Sequence, residues 1–107
     1  MKLAQLFEQN QSTYYMLYIK ANMKDAQYAD YEVEDEIKGL VKYDGGVVEY
    51  SRTSSNEVEI EAIFKNEHQA KRTASFLRKH KKKTGVYELT IEEYIDGKLG
   101  KTKFILD

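Results

Sequence analysis

The segment Glu57-Val58-Glu59-Ile60-Glu61-Ala62-Ile63-Phe64 opens on a strict alternation of carboxylates and apolar side chains. A period of two belongs to a pleated strand, so Val58, Ile60, Ala62 and Phe64 share one face and Glu57, Glu59 and Glu61 the other. Coiled as a helix, the same residues would be scattered around the axis and leave no coherent buried stripe. A strand that is dry on one side and wet on the other belongs to an antiparallel sheet with one covered face. Whatever covers that face must bring an apolar stripe of its own.

Other segments supply the rest of such a sheet. Tyr14 to Ala21 is dense in strand-forming residues, with Tyr15, Leu17, Ile19 and Ala21 on one face and Tyr14, Met16, Tyr18 and Lys20 on the other. Val47 to Thr53 reaches Glu57 through the polar cluster Ser54-Ser55-Asn56, the pattern of a hairpin. Val86 to Ile95 and Lys98 to Leu106 meet at Asp96-Gly97, a strong hairpin signal, with Tyr87, Leu89 and Ile91 expected inside.

The covering stripes come from two segments of helical period. Over Asp25 to Tyr43, Ala26, Ala29, Val33, Ile37 and Leu40/Val41 line one side. The acids Asp30, Glu32, Glu34, Asp35 and Glu36 suit the positive N-terminal end of that helix, and Asp44-Gly45-Gly46 ends it. Asn66 is placed to cap a second helix reciprocally with Gln69. Ala70, Thr73, Ala74 and Leu77 then make a stripe that runs to about Lys83, before Thr84-Gly85. Lys2 to Gln9, with Leu3, Leu6 and Phe7 at helical spacing, predicts a short N-terminal helix.

From Tyr14 to Ile95 the order is β-α-β-β-α-β. This predicts an α+β fold: a ferredoxin-like split β-α-β antiparallel sheet with two helices on one face, plus the N-terminal helix and a C-terminal hairpin strand. The alternatives are a roll with the N-terminal helix in the core, or an all-antiparallel meander if 25 to 43 is partly strand. At 107 residues, two cores would each be too small to hold, so residues 1–107 are expected to form a single domain. With no cysteine there is no disulfide or thiolate metal site, which favours the cytoplasm, and the apolar run after Met1-Lys2 is too short for a signal peptide. In composition, a short charged chain free of Pro and Cys and rich in Tyr, Lys and Glu resembles accessory proteins of phages and mobile elements.

Charge is segregated along the chain: residues 1–50 carry five Lys and nine acids, residues 51–107 twelve Lys or Arg and nine acids. Lys71, Arg72, Arg78, Lys79, Lys81, Lys82 and Lys83 fall in one acid-free run. Cations at a helix C-terminus answer its dipole, and the same field suits a nucleic-acid backbone. Strand alternation collects a second surface, on which Glu57, Glu59, Glu61, Glu88 and Glu92 stand beside Tyr14, Tyr18 and Tyr94. Such a face is either an ordinary solvated one or a contact surface for a basic partner. Leu17-Tyr18-Ile19-Lys20-Ala21-Asn22 is similar to the shorter signature of the RNA recognition motif. The third strand has carboxylates where that family stacks its aromatic rings, so the similarity extends to Tyr18 alone.

No nucleophile elbow or phosphate loop is present, and His68 and His80 stand too far apart along one helix to share a metal. The residues therefore predict no catalytic site, no metal and no cofactor. The expected function is a small non-enzymatic protein-interaction module, a regulator or inhibitor that binds a basic protein partner through Tyr14, Tyr18, Glu57, Glu59, Glu61, Glu88, Glu92 and Tyr94. The alternative is a nucleic-acid binder using Lys71, Arg72, Arg78, Lys79, Lys82 and Lys83. Membrane insertion is not expected, and a third expectation is a small enzyme subunit or structural component that forms a homodimer, its apolar surface around Leu3, Leu6 and Phe7 covered by a second copy of the chain.

Overall fold

The structure is a computed structural model that describes residues 13–27 and 30–106. The expected helix Lys2 to Gln9 lies outside the described residues, as does Ala29. The chain runs β1 (Thr13–Asn22), a 3₁₀ turn (Met23–Asp25), α1 (Asp30–Tyr43), β2 (Val47–Ser54), β3 (Glu57–Phe64), α2 (Glu67–Lys79), α3 (Lys81–Thr84), β4 (Val86–Ile95) and β5 (Lys98–Leu106). Its strands form one five-stranded sheet in the order β2-β3-β1-β4-β5, each antiparallel to its neighbours. The fold is thus α+β. Among the described residues no helix is long and apolar enough to cross a membrane.

One face of the sheet carries the main core. Leu17, Ile19 and Ala21 of β1 and Val58, Ile60, Ala62 and Phe64 of β3 are buried there. So are Val33, Ile37 and Val41 of α1 and Ala70, Ala74 and Leu77 of α2. The alternation of β3 therefore places its apolar residues where the period of two requires, and both helices cover the same side. Asp44, just past α1, is buried and accepts a 2.7 Å hydrogen bond from Thr73 of α2, which ties the two helices at one end.

Local departures from the sequence expectation have visible causes. Asn66 does cap α2, accepting from the Gln69 backbone N–H at 2.9 Å. The reciprocal half is not made, because the Gln69 amide lies where a Cβ on Gly45 would sit only 2.7 Å from Nε2, and its Oε1 is buried without a partner. The second helix also does not run unbroken to Lys83. His80, at φ −108° and ψ 27°, separates α2 from the single turn of α3, whose Thr84 turns inward to be buried. Gly85 follows at φ +76°, with its carbonyl accepting from Asn22 N–H at 2.9 Å.

Tyr87 is corrected from inside to outside. The β1–β4 register slips between Lys20 and Ala21, so Ala21 pairs with Val86 while Lys20 pairs with Glu88. Val86 takes the core position, whereas Tyr87 is 42% exposed and donates its hydroxyl to Glu57 Oε2 at 2.7 Å. A bulge adds one residue to one strand, and the side chain at the slip changes face.

Candidate functional site on the open sheet face

Residues paired across antiparallel strands project to the same side. Following the register away from the helices gives one row contributed by all five strands: Tyr50 (β2), Glu61 (β3), Tyr18 (β1), Thr90 (β4) and Phe104 (β5). The next row is Arg52, Glu59, Lys20 and Glu88. On the other side Ile63, Met16 and Glu92 are aligned, followed by Tyr14 opposite Tyr94.

The face is thereby divided. At one end Tyr14, Met16 and Ile63 form a second, smaller buried cluster, with Tyr18, Val47 and Tyr94 packed against it. The Tyr14 and Tyr94 rings are stacked there, 5.2 Å between centroids and 7° from parallel. At the other end lies a depression of about 400 Å³ lined by Tyr18, Lys20, Glu59, Glu61, Glu88, Thr90 and Glu92, with Ile19 and Ile60 contributing to its floor.

Most charges in the depression are answered. Glu59 meets Arg52 at 2.6 Å and Glu88 meets Lys20 at 3.8 Å. Glu92 Oε1 accepts from the Tyr94 hydroxyl at 3.2 Å, and that hydroxyl lies 3.5 Å from the Tyr18 hydroxyl. Burial, then the hydrogen bonds to Tyr94 and Glu92, raises the Tyr18 phenol far above its ordinary value, so this ring is neutral at any physiological pH.

Glu61 differs from the other acids. Among the described residues it has neither a hydrogen bond nor an ion pair. Desolvation is the main reason its carboxyl is held above the usual range, and repulsion from Glu59, Glu49 and Glu92 adds to it. A half-buried, uncompensated carboxylate in a shallow basin favours a ligand that brings positive charge. On the helical side, a cleft of about 450 Å³ is lined by Gly39, Leu40, Tyr43, Phe76, His80 and Lys83, but its acids Asp35 and Glu36 are exposed. A charge already in water gains little from a ligand, so that cleft is the weaker candidate.

Of the residues expected on the acidic face, Tyr18, Glu59, Glu61, Glu88 and Glu92 come together in the basin and Tyr94 stands at its edge. Tyr14 is only 7% exposed and is a packing residue, and Glu57 is engaged by Tyr87. The basic residues lie apart from the basin, on the helical layer. Lys71 pairs with Glu67 at 3.7 Å and Arg72 with Asp44 at 3.8 Å, while Arg78, Lys79, Lys82 and Lys83 are exposed. Sequence reasoning placed Lys20 on this face but missed Tyr50, Thr90 and Phe104 as members of it. Their alternation was legible, but the place of Tyr50 opposite Glu61 depends on a register shift between Val48 and Tyr50, and that of Phe104 opposite Thr90 on one between Leu89 and Thr90.

A five-stranded antiparallel sheet with helices on one face and a charged basin on the other defines the class of domain. No protein-family model matches the sequence, and no curated protein matches it. Similar solved structures include a phage SAM lyase in complex with S-methyl-5′-thioadenosine, 15% identical over 89% of each chain with a TM-score of 0.50. A phage SAM lyase in its apo state is 11% identical over 90% of each chain, with a TM-score of 0.52. The chain shares the fold of these enzymes. This corrects the expectation of a non-enzymatic module, whether a protein-binding regulator or a nucleic-acid binder: the architecture found is one that carries an enzyme.

Proposed function

We propose that this chain is an enzyme that binds S-adenosylmethionine in the basin of the open sheet face and splits it as a lyase, releasing S-methyl-5′-thioadenosine. The finer description of the domain, a ferredoxin-like β-α-β-β-α-β unit with β5 added at an edge, belongs to the same proposal and is supported by the strand order. A cytoplasmic chain of phage type, as the composition suggests, would meet this substrate in the host cell.

The observation that carries the proposal is Glu61, an uncompensated half-buried carboxylate in a basin rimmed by further acids. The substrate bears a sulfonium and an ammonium against one carboxylate, so its net charge is positive and complements this surface. In the reaction an oxygen of the substrate's own carboxylate bonds to the sulfonium-bearing carbon of the four-carbon amino-acid part and closes a lactone as the bond from that carbon to sulfur breaks. Both electrons of the broken bond stay on sulfur, and a neutral thioether leaves. Positive charge at sulfur disappears along the way, so a basin that strips water from the substrate favours the transition state over the hydrated ground state. Glu61 holds the cationic part of the substrate, the neutral Tyr18 and Thr90 offer hydroxyls along the row, and Arg52 stands at the β2 side, where the substrate carboxylate would reach.

The test is incubation of the purified chain with S-adenosylmethionine, with chromatographic detection of S-methyl-5′-thioadenosine and calorimetric measurement of binding. Product formation that Glu61→Gln diminishes supports the proposal. Product no faster than in buffer, together with no heat of binding, refutes it.

A further inference from the structure

We infer that Phe104 is the platform on which the adenine ring of the substrate stacks, an assignment that rests on the proposal that the sheet face is an S-adenosylmethionine site. Phe104 is 70% exposed although it is a phenylalanine on a strand, and its register partner is Thr90, a lining residue of the basin. It therefore projects on the same side of the sheet, one strand beyond the basin. Between it and Tyr18 the row carries only the small Thr90 side chain.

The spacing fits. Strands lie about 4.8 Å apart, which puts Phe104 about 14 Å from Glu61, three strands away. In the substrate, five bonds of about 1.5 Å separate sulfur from the base nitrogen, which with the usual zig-zag places the purine centre roughly 8 to 9 Å from sulfur. A carboxylate-to-sulfonium contact of about 4 Å brings the total to roughly 12 to 13 Å. The other rings of the face do not meet this length. Tyr50 and Tyr18 are each a single strand from Glu61, and Tyr14 is buried and stacked on Tyr94. With the adenosine directed towards β5, the amino-acid end points to β2, where Arg52 stands.

Base-on-aromatic stacking predicts a loss on the order of 5- to 100-fold in affinity on removal of the ring. The experiment is calorimetry of the full chain, wild type, Phe104→Ala, Phe104→Trp and Glu61→Gln, with S-adenosylmethionine and with S-methyl-5′-thioadenosine. Phe104→Ala should weaken both ligands by about the same factor, Phe104→Trp should retain both, and Glu61→Gln should weaken the charged ligand while sparing the neutral one. If Phe104→Ala binds S-methyl-5′-thioadenosine as wild type does, the platform assignment falls and the sheet-face proposal stands. If wild type binds neither ligand, both fall. Because Phe104 is exposed, circular dichroism of the alanine variant should match wild type, and a loss of binding accompanied by loss of fold that the tryptophan variant does not restore also overturns the assignment.

Discussion

Replacing Glu61 with glutamine should make the protein more stable and a worse binder at once. Glu59, two residues along the same strand, lies about 7 Å from Glu61, and a like charge at that distance costs ~0.6 kcal/mol at the dielectric of water and ~2.4 kcal/mol at an effective value of 20. Arg52 offsets part of the Glu59 charge while Glu49 and Glu92 add to the repulsion, so a gain of about 1 kcal/mol at neutral pH is expected from the substitution. For a domain of this size that is a rise in Tm of about 4 °C. The pH dependence identifies the cause. The folded state holds the Glu61 carboxyl above its ordinary value, so ionisation costs stability above the folded pKa, and the cost vanishes as pH falls towards the unfolded value of about 4.3. The Tm difference between variant and wild type should therefore shrink on acidification. Thermal unfolding followed by circular dichroism from neutral pH to about pH 4 reads it. A variant that is less stable than wild type at neutral pH, or whose gain persists unchanged at the acid end, would refute the electrostatic account.

Gly85→Ala should destabilise the fold by at least ~2 kcal/mol, because an L residue at its positive φ costs about 1 to 2 kcal/mol before any contact is counted. A Cβ there would also stand 2.2 Å from the Asn22 carbonyl oxygen, and urea unfolding measures the sum. Tyr87, whose phenol is pushed up to about 12 by its hydrogen bond to Glu57 and then by desolvation, contributes stability that is complete below the ordinary tyrosine value of 10.0 and lost as pH rises through the folded value. Glu57→Gln should return that ionisation towards its ordinary range in an ultraviolet pH titration, and an unchanged curve would show that the hydrogen bond is not the cause.

Much of the sheet and helix placement was legible because burial imposes simple periods. Val58, Ile60, Ala62 and Phe64 had to share a side, and the stripe Val33, Ile37 and Val41 marked a helix although Asp25 to Tyr43 carries many acids and an alternating stretch. The carboxylates of the basin were legible for the same reason. What alternation cannot give is register between strands distant in the chain, and here register decides the chemistry. The slip at Lys20/Ala21 turned Tyr87 outward, the bulge before Tyr50 set it opposite Glu61, and the bulge before Thr90 set Phe104 beside the basin. Tyr14 was legible as a member of the open face but not as a buried one, since its cover depends on the stacked ring of Tyr94, eighty residues away in the chain. The likeness of the fold to that of the phage SAM lyases left no mark in the sequence, because an acidic strand face has the same pattern whether it contacts a protein, water or a small cation.

Because each of the five strands donates a single member to the row from Tyr50 to Phe104, the whole row exists only when all five are paired; the β2–β3 and β4–β5 hairpins alone hold only Tyr50 with Glu61 and Thr90 with Phe104. The basin itself needs β1, β3 and β4, and Phe104 joins the row only once β5 has docked. The high proportion of distant pairings also makes this a slow folder for its length. A ligand bound at the proposed site would be coupled to folding of the sheet: at a hundredfold excess over Kd it should add about 2.7 kcal/mol to the global unfolding free energy. In hydrogen exchange the added protection should appear in the amides of the central strands that open only on global unfolding, including those far from the basin.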